Sequence, residues 1–150
     1  CSVCVAQDID TFDHYFKLLP RPQNVQSLSG EGLLSNDIHG ICFNNAGKDL
    51  VIPGLLKKLP HLNTPSKGAV SLILKKELTI PPDEGYILSV RNKRVVIEAK
   101  SRSGLFYGMQ TLNQLLEDAR DQNVPIPACK ITDYPSIPVR AVHIDLKNHM

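Results

Sequence analysis

Strand-like alternation followed by a long amphipathic helix predicts a domain that combines β-strands with helix. The alternation is clearest from Gly85 to Val90 and from Arg94 to Ala99. The helix shows as a continuous apolar stripe, Leu105, Met109, Leu112 and Leu116, spaced at i, i+4, i+7 and i+11. Size and composition bound the answer: 150 residues, 42% hydrophobic and 21% charged, suffice for one cored domain rather than two.

Taken in order, residues 10–19 place Phe12, Tyr15, Phe16 and Leu19 at helical spacing until Pro20 stops the turn. Val25 to Leu28 reads as a short strand, closed by a turn at Gly30 and Gly32. Ile38 to Phe43, with Ile38, Ile41, Cys42 and Phe43, reads as another. Leu50 to Leu59 carries four leucines, and Pro53 has to occupy the first turn of any helix there. Ala69 to Lys75 is a better strand, with Val70, Leu72 and Leu74 on one face.

Tyr86, Leu88 and Val90 then alternate with Ile87 and Ser89, and Val95-Val96-Ile97 makes a second apolar run. Asn92-Lys93 between them suits a tight turn, because Asn tolerates positive φ, so the two runs form an antiparallel hairpin. Ser101 or Ser103 can cap the following helix by accepting a bond from a free N–H. Gly104 and Gly108 lie one turn apart, each costing about 1 kcal/mol relative to Ala in a helix interior. Close approach of that side to the sheet would compensate. The polar stretch from Glu117 to Asp121, with Asn123, closes the helix. Cys129 to Ile131 is expected to add an edge strand, and Val142, Ile144 and Leu146 alternate with His143 and Asp145 in a last strand. The prolines gather at 20 and 22, at 81 and 82, and between 125 and 138, which marks junctions between elements.

Several function classes are disfavoured. A net charge of +2, with no basic run longer than Arg91-Asn92-Lys93-Arg94, argues against nucleic acid as a partner. No stretch approaches the roughly 20 apolar residues of a membrane span. With no Trp, four Phe and four Tyr, the chain has little to build an exposed aromatic platform for sugars or bases. Cys1 and Cys4 have half the spacing of a zinc site without the other half. Cys42 and Cys129 read as two buried free thiols in strands, with a disulfide between them as the open alternative. His14, His39 and His61 have no triad partners that the sequence brings near, and His143 reads as a packed histidine. Neither a Gly-x-Ser-x-Gly elbow nor a phosphate-cradling glycine loop occurs. The adjacent acids Asp83-Glu84 and Glu117-Asp118 read as solvated surface. At the amino end, Val3-Cys4-Val5-Ala6 before polar Gln7 and Asp8 fits the tail of a secretory signal cleaved near Ala6, or else an ordinary frayed terminus. The first reading implies an exported protein, secreted, periplasmic or at the cell surface.

Three blocks resemble family 20 glycoside hydrolases, the β-N-acetylhexosaminidases. Leu18-Leu19-Pro20-Arg21-Pro22-Gln23-Asn24-Val25 is similar to the start of their amino-terminal domain. Glu84 to Val90, Val95 to Ala99 and Ser103-Gly104-Leu105-Phe106-Tyr107-Gly108-Met109-Gln110-Thr111-Leu112 are similar to its hairpin and helix, the most specific block. Ile131-Thr132-Asp133-Tyr134-Pro135 and Val139-Arg140-Ala141-Val142-His143-Ile144-Asp145 resemble the linker and first strand of the catalytic barrel. Residues 44–68 match poorly.

The resemblance implies an α+β domain, a mostly antiparallel or mixed sheet with helices packed on one face, standing before a (β/α)8 barrel of about 250 residues. It divides the chain into a tail or short helix at 1–17, the α+β domain at 18–135, and a linker with the first barrel strand at 136–150. It implies substrate-assisted hydrolysis of terminal N-acetylhexosamine: the sugar's 2-acetamido oxygen attacks the anomeric carbon, an Asp orients it and a neighbouring Glu protonates the leaving oxygen. That acid pair belongs to a later barrel strand, so no catalytic residue, metal or cofactor is expected within these residues. Asp145, Lys147 and Asn148 fall where barrel strands end and substrates are held, and are the candidate substrate-binding residues. Members commonly carry Arg where this chain has Asn148, and Asn offers no charged fork of donors. The partners implied are the catalytic barrel of the same chain and, through it, a glycan, with neither nucleic acid nor a membrane span. The competing reading is a carbohydrate-binding or interaction module without catalysis, disfavoured because Tyr86, Phe106 and Tyr107 are expected at core or near-core positions.

Overall fold

The computed structural model describes residues 9–46, 49–80 and 83–137. They form a mixed α/β arrangement of the expected class: helix α1 (Ile9–Tyr15), strands β1 (Asn24–Ser27), β2 (Gly40–Asn44), β3 (His61–Leu62), β4 (Ala69–Leu74), β5 (Tyr86–Arg91) and β6 (Arg94–Ala99), helix α2 (Arg102–Gln122) and strand β7 (Cys129–Asp133). One seven-stranded sheet runs in the order β1-β7-β5-β6-β4-β2-β3.

The β5–β6 hairpin is the centre of this sheet. Its turn residues Asn92 and Lys93 both take positive φ, 51° and 57°, the conformation that matches the twist of a two-residue hairpin. From β5 the sheet grows antiparallel through β7 to β1. From β6 it grows parallel through β4 to β2 and then β3. The expectation for Cys129–Ile131 is therefore corrected: β7 is not an edge but lies between β5 and β1, and β1 forms that edge. The reason is topological. Crossing over α2 carries the chain past β5 and lays β7 against its free side. β4 likewise has neighbours on both sides, and it is buried on both faces: Val70 and Leu72 toward α2, Ala69 and Ser71 away from it. Such two-sided burial is typical of parallel strands.

Leu50 to Leu59 contains no full helix. Residues Gly54–Lys58 make a single 3-10 turn, and Pro53 stands at its N-cap instead of within it. Helix α1 ends at Tyr15, short of the expected stop at Pro20, and residues 16–19 are irregular.

α2 is built as its sequence dictates at both ends. Ser101, not Ser103, is the cap; its Oγ accepts the Gly104 N–H at 3.1 Å. Asn123 closes the helix in the left-handed conformation, φ 55°. Leu105, Met109, Leu112, Leu115 and Leu116 are buried against Val95, Ile97, Leu88, Val90, Val70 and Leu72, each such side chain contributing roughly 1.5–3 kcal/mol on leaving water. Gly104 and Gly108 are where the helix backbone meets the sheet. A Cβ on Gly108 would stand 2.5 Å from Ile97 Cγ2 and 3.1 Å from the Tyr86 ring; one on Gly104 would stand 2.5 Å from the Gly85 carbonyl oxygen.

Cys42 and Cys129 are both free and buried. Three strands, β4, β6 and β5, separate β2 from β7, so at about 4.8 Å per strand they lie far beyond disulfide reach, and the disulfide alternative is excluded.

Gly104→Ala discriminates between helix propensity and packing. Propensity alone gives a gain of about 1 kcal/mol; the clash with backbone gives a net loss of about 1–3 kcal/mol. Urea denaturation should show the loss, as a lower midpoint with unchanged slope.

Candidate functional site

The polar side of α2 is a track for the segment that follows α1. Gln114, Asp118 and Gln122 recur at i, i+4 and i+8, one above another on the helix surface. Gln114 Nε2 donates to the Leu19 carbonyl at 3.1 Å while its Oε1 accepts the Leu19 N–H at 2.9 Å. Asp118 Oδ2 accepts the Lys17 N–H at 2.9 Å, and Gln122 Nε2 donates to the Tyr15 carbonyl. The Tyr15 carbonyl, the Lys17 N–H and both backbone groups of Leu19 are thereby satisfied by side chains. On the sheet side, Gln23 N donates to Asp133 Oδ1 at 3.1 Å and Gln23 Nε2 to Ser136 Oγ at 2.6 Å.

Between this segment, α2 and the chain leaving β7 runs a groove of about 450 Å3. Its rims carry Leu19, Tyr107, Tyr134 and Ile137, all exposed, with Leu19 and Ile137 at 77% and 63%. Gln110, Glu84 and Arg21 add polar atoms. At the groove floor the Tyr86 hydroxyl donates to Asp133 Oδ2 at 3.3 Å and accepts from Thr111 Oγ1 at 2.5 Å. Burial raises the Tyr86 pKa well above its ordinary value; the Thr111 hydrogen bond opposes this, and the adjacent Asp133 carboxylate adds to it. Burial alone pushes the Cys129 thiol up to about 12.

The expected positions divide cleanly. Tyr86 is core, but Tyr107 lies on the surface at the groove rim, correcting the expectation that it is committed to the interior. Glu117 and Asp118 are not merely solvated: Glu117 Oε1 accepts from Asn113 Nδ2 at 2.9 Å, and Asp118 caps Lys17. His39 does have a hydroxyl neighbour that the sequence conceals, Ser66 Oγ at 3.3 Å from Nε2, while Nδ1 faces the Asp37 carbonyl at 3.3 Å; both residues lie toward solvent with no carboxylate behind them. Among the described residues no three His, Cys, Asp or Glu side chains converge as metal ligands, and no helix is long and apolar enough to cross a membrane. Asp145, Lys147 and Asn148, with His143 and the expected last strand, lie outside the described residues, as do Cys1 and Cys4.

Comparison with known proteins matches residues 15–134 to the model of glycosyl hydrolase family 20, domain 2. A β-hexosaminidase of Vibrio furnissii is 30% identical over 136 residues, which is 88% of this chain and 22% of that protein. A β-N-acetylhexosaminidase of Cellulomonas fimi is 36% identical over 84 residues, 55% of this chain and 17% of that protein. Among solved structures, the family 20 β-N-acetylhexosaminidase of Streptomyces coelicolor A3(2) superposes with a TM-score of 0.58 at 27% identity, over 79% of this chain and 26% of that one. The exo-β-N-acetylglucosaminidase of Vibrio harveyi, in complex with N-acetylglucosamine, has the same fold, with a TM-score of 0.60 at 24% identity over 82% of this chain and 20% of that one. The chain thus spans about a fifth of the length of the curated relatives it matches.

Because the folded state keeps Tyr86 protonated above its ordinary 10.0 and Cys129 above its ordinary 9.0, their contribution to stability is complete below pH 9. It is lost as pH rises from there toward the folded values. Unfolding free energy followed by denaturant titration should fall above pH 9. Tyr86→Phe should abolish the part lost above pH 10 and, by stranding Thr111 and Asp133, cost about 2 kcal/mol at neutral pH.

Proposed function

The chain belongs to glycosyl hydrolase family 20 through that family's domain 2, and from this we propose that it is the non-catalytic domain of a β-N-acetylhexosaminidase-like enzyme, holding that enzyme's catalytic barrel in place. One observation carries the reading. Leu19, Tyr107, Tyr134 and Ile137 expose their apolar surface around a single groove, at the point where the chain leaves β7. Scattered single hydrophobics are ordinary on a protein surface; a gathered set rimmed by polar residues marks a contact. The barrel would cover α2 and this groove, and would itself cleave terminal N-acetylhexosamine by substrate-assisted hydrolysis.

In this proposal the carboxylate at the groove floor does not supply that chemistry. Asp133 is held by Gln23 N and the Tyr86 hydroxyl, so it is an anchor for the fold. Asp145, Lys147 and Asn148 belong in this proposal to the first barrel strand, where they reach the sugar, with Asn148 and Lys147 replacing the usual Arg. Export to the cell surface, the periplasm or the medium accords with a glycan as the partner. A second reading, a carbohydrate-binding module, draws on the exposed Tyr107 and Tyr134. It is the weaker because two of the groove's amides are already engaged by the chain: Gln114 with both backbone groups of Leu19, and Gln23 with Ser136.

Purified alone, the chain should not turn over an aryl N-acetylglucosaminide; measurable turnover overturns the proposal. Leu19→Asp with Ile137→Asp should weaken association with a separately produced barrel at least tenfold by titration calorimetry, while leaving the melting temperature of the chain within a few degrees.

A further inference from the structure

The sheet has a second face, turned away from α2, and its charge is lopsided. Arg91 and Arg94 stand directly opposite each other across the β5–β6 ladder. They share the face of Ser89 and Val96, since their neighbours Val90 and Val95 are buried beneath α2. Lys130 pairs with Ser89 across the β5–β7 ladder, which places it on the same face, diagonal to Arg91. Cβ atoms of directly opposed residues are about 5 Å apart, so the two guanidinium stems repel at close range.

Nothing among the described residues compensates them. Glu98 is the acid of β6 on this face and it pairs with Lys75 at 3.3 Å. Glu31 and Asp37, near the turn, pair with Lys93 at 3.2 Å and 3.9 Å. Glu31 raises the Lys93 pKa by that bond, which shows where its charge is spent. Arg91, Arg94 and Lys130 enter none of the ion pairs. Arg91 and Arg94 are exposed, with the Arg91 side chain lying beside the Gly30 turn, and Lys130 is half-buried.

We propose that this basic corner of the open sheet face binds an anionic glycan, gripping its sulfate or carboxylate groups. Guanidinium pairs recognise such oxyanions through paired N–H donors, and a binding partner relieves the cross-strand repulsion. The choice of a glycan rests on the family reading above, since the parent enzyme would work on carbohydrate. Nucleic acid fits less well: besides Ser71, Ser89 and Glu98, this face at the sheet centre carries Ile73, Ile87, Val96 and Thr132, and no aromatic ring among them can stack a base. The corner lies on the opposite side of the sheet from the α2 groove, so both surfaces can be occupied together.

Calorimetric titration of the 150-residue chain with dextran sulfate, in low salt and again at 0.3 M NaCl, tests the proposal. Dextran sulfate should bind and lose affinity with salt, and neutral dextran should not bind. Arg91→Gln with Arg94→Gln should weaken binding at least tenfold. Lys57→Gln with Lys58→Gln, which removes the same charge from another surface, should change it less than twofold. Absence of dextran sulfate binding, equal weakening in the two variants, or tighter binding of an oligo-dT strand overturns the proposal. Leu19→Asp with Ile137→Asp should leave dextran sulfate binding intact, so failure here and failure of the barrel-docking proposal are separate results.

Discussion

The close contact of α2 with the hairpin at Gly104 and Gly108 is the constraint from which the remaining structure follows. With no side chains at these positions, the helix backbone settles against Gly85, Ile97 and Tyr86. That depth brings the leucine stripe into the sheet's covered face, and it brings Thr111 within reach of the Tyr86 hydroxyl. Tyr86 in turn fixes Asp133 at the end of β7, and Asp133 holds Gln23. A ring of polar contacts thus closes around an apolar layer, and each buried polar atom finds its partner; among the described residues none is left without one.

A single helical layer over a seven-stranded sheet leaves two surfaces with different characters. On one, α2 hides its apolar stripe and turns a polar track outward, which takes up residues 15–19 and forms one wall of the groove. On the other, the β2–β4 part is buried while the hairpin end is exposed and basic. The apolar rim of the groove suits a protein partner, where burial supplies the affinity. The basic corner suits an anion, where charge and donor geometry supply it.

Local signals were the legible part. The hairpin was readable because alternation and the Asn92-Lys93 turn lie within a few residues of each other, and α2 because its stripe, cap and closing Asn123 are all local. In the parallel half the strands β2 and β4 were readable, but their parallel pairing and the two-residue β3 were not. β2, β3 and β4 pair across crossovers, and two-sided burial of β4 blurs the alternation on which a strand reading depends. β7 looked like an edge because its neighbours come from residues 24–27 and 86–90, far away in the chain. The groove had one overlooked signal, Gln114, Asp118 and Gln122 at four-residue spacing, which composition alone reads as a solvated helix end. The candidate substrate contacts Asp145, Lys147 and Asn148 rest on family resemblance, since they lie outside the described residues.

Amide hydrogen exchange, compared between the chain alone and the chain mixed with a family 20 catalytic barrel, tests directly whether this domain serves as a seat for such a barrel. Added protection should be confined to the segments bordering the groove, residues 17–23, the exposed side of α2 and residues 134–137. Protection gained over β4, β5 and β6 from the uncovered face, with the groove unchanged, would contradict the account.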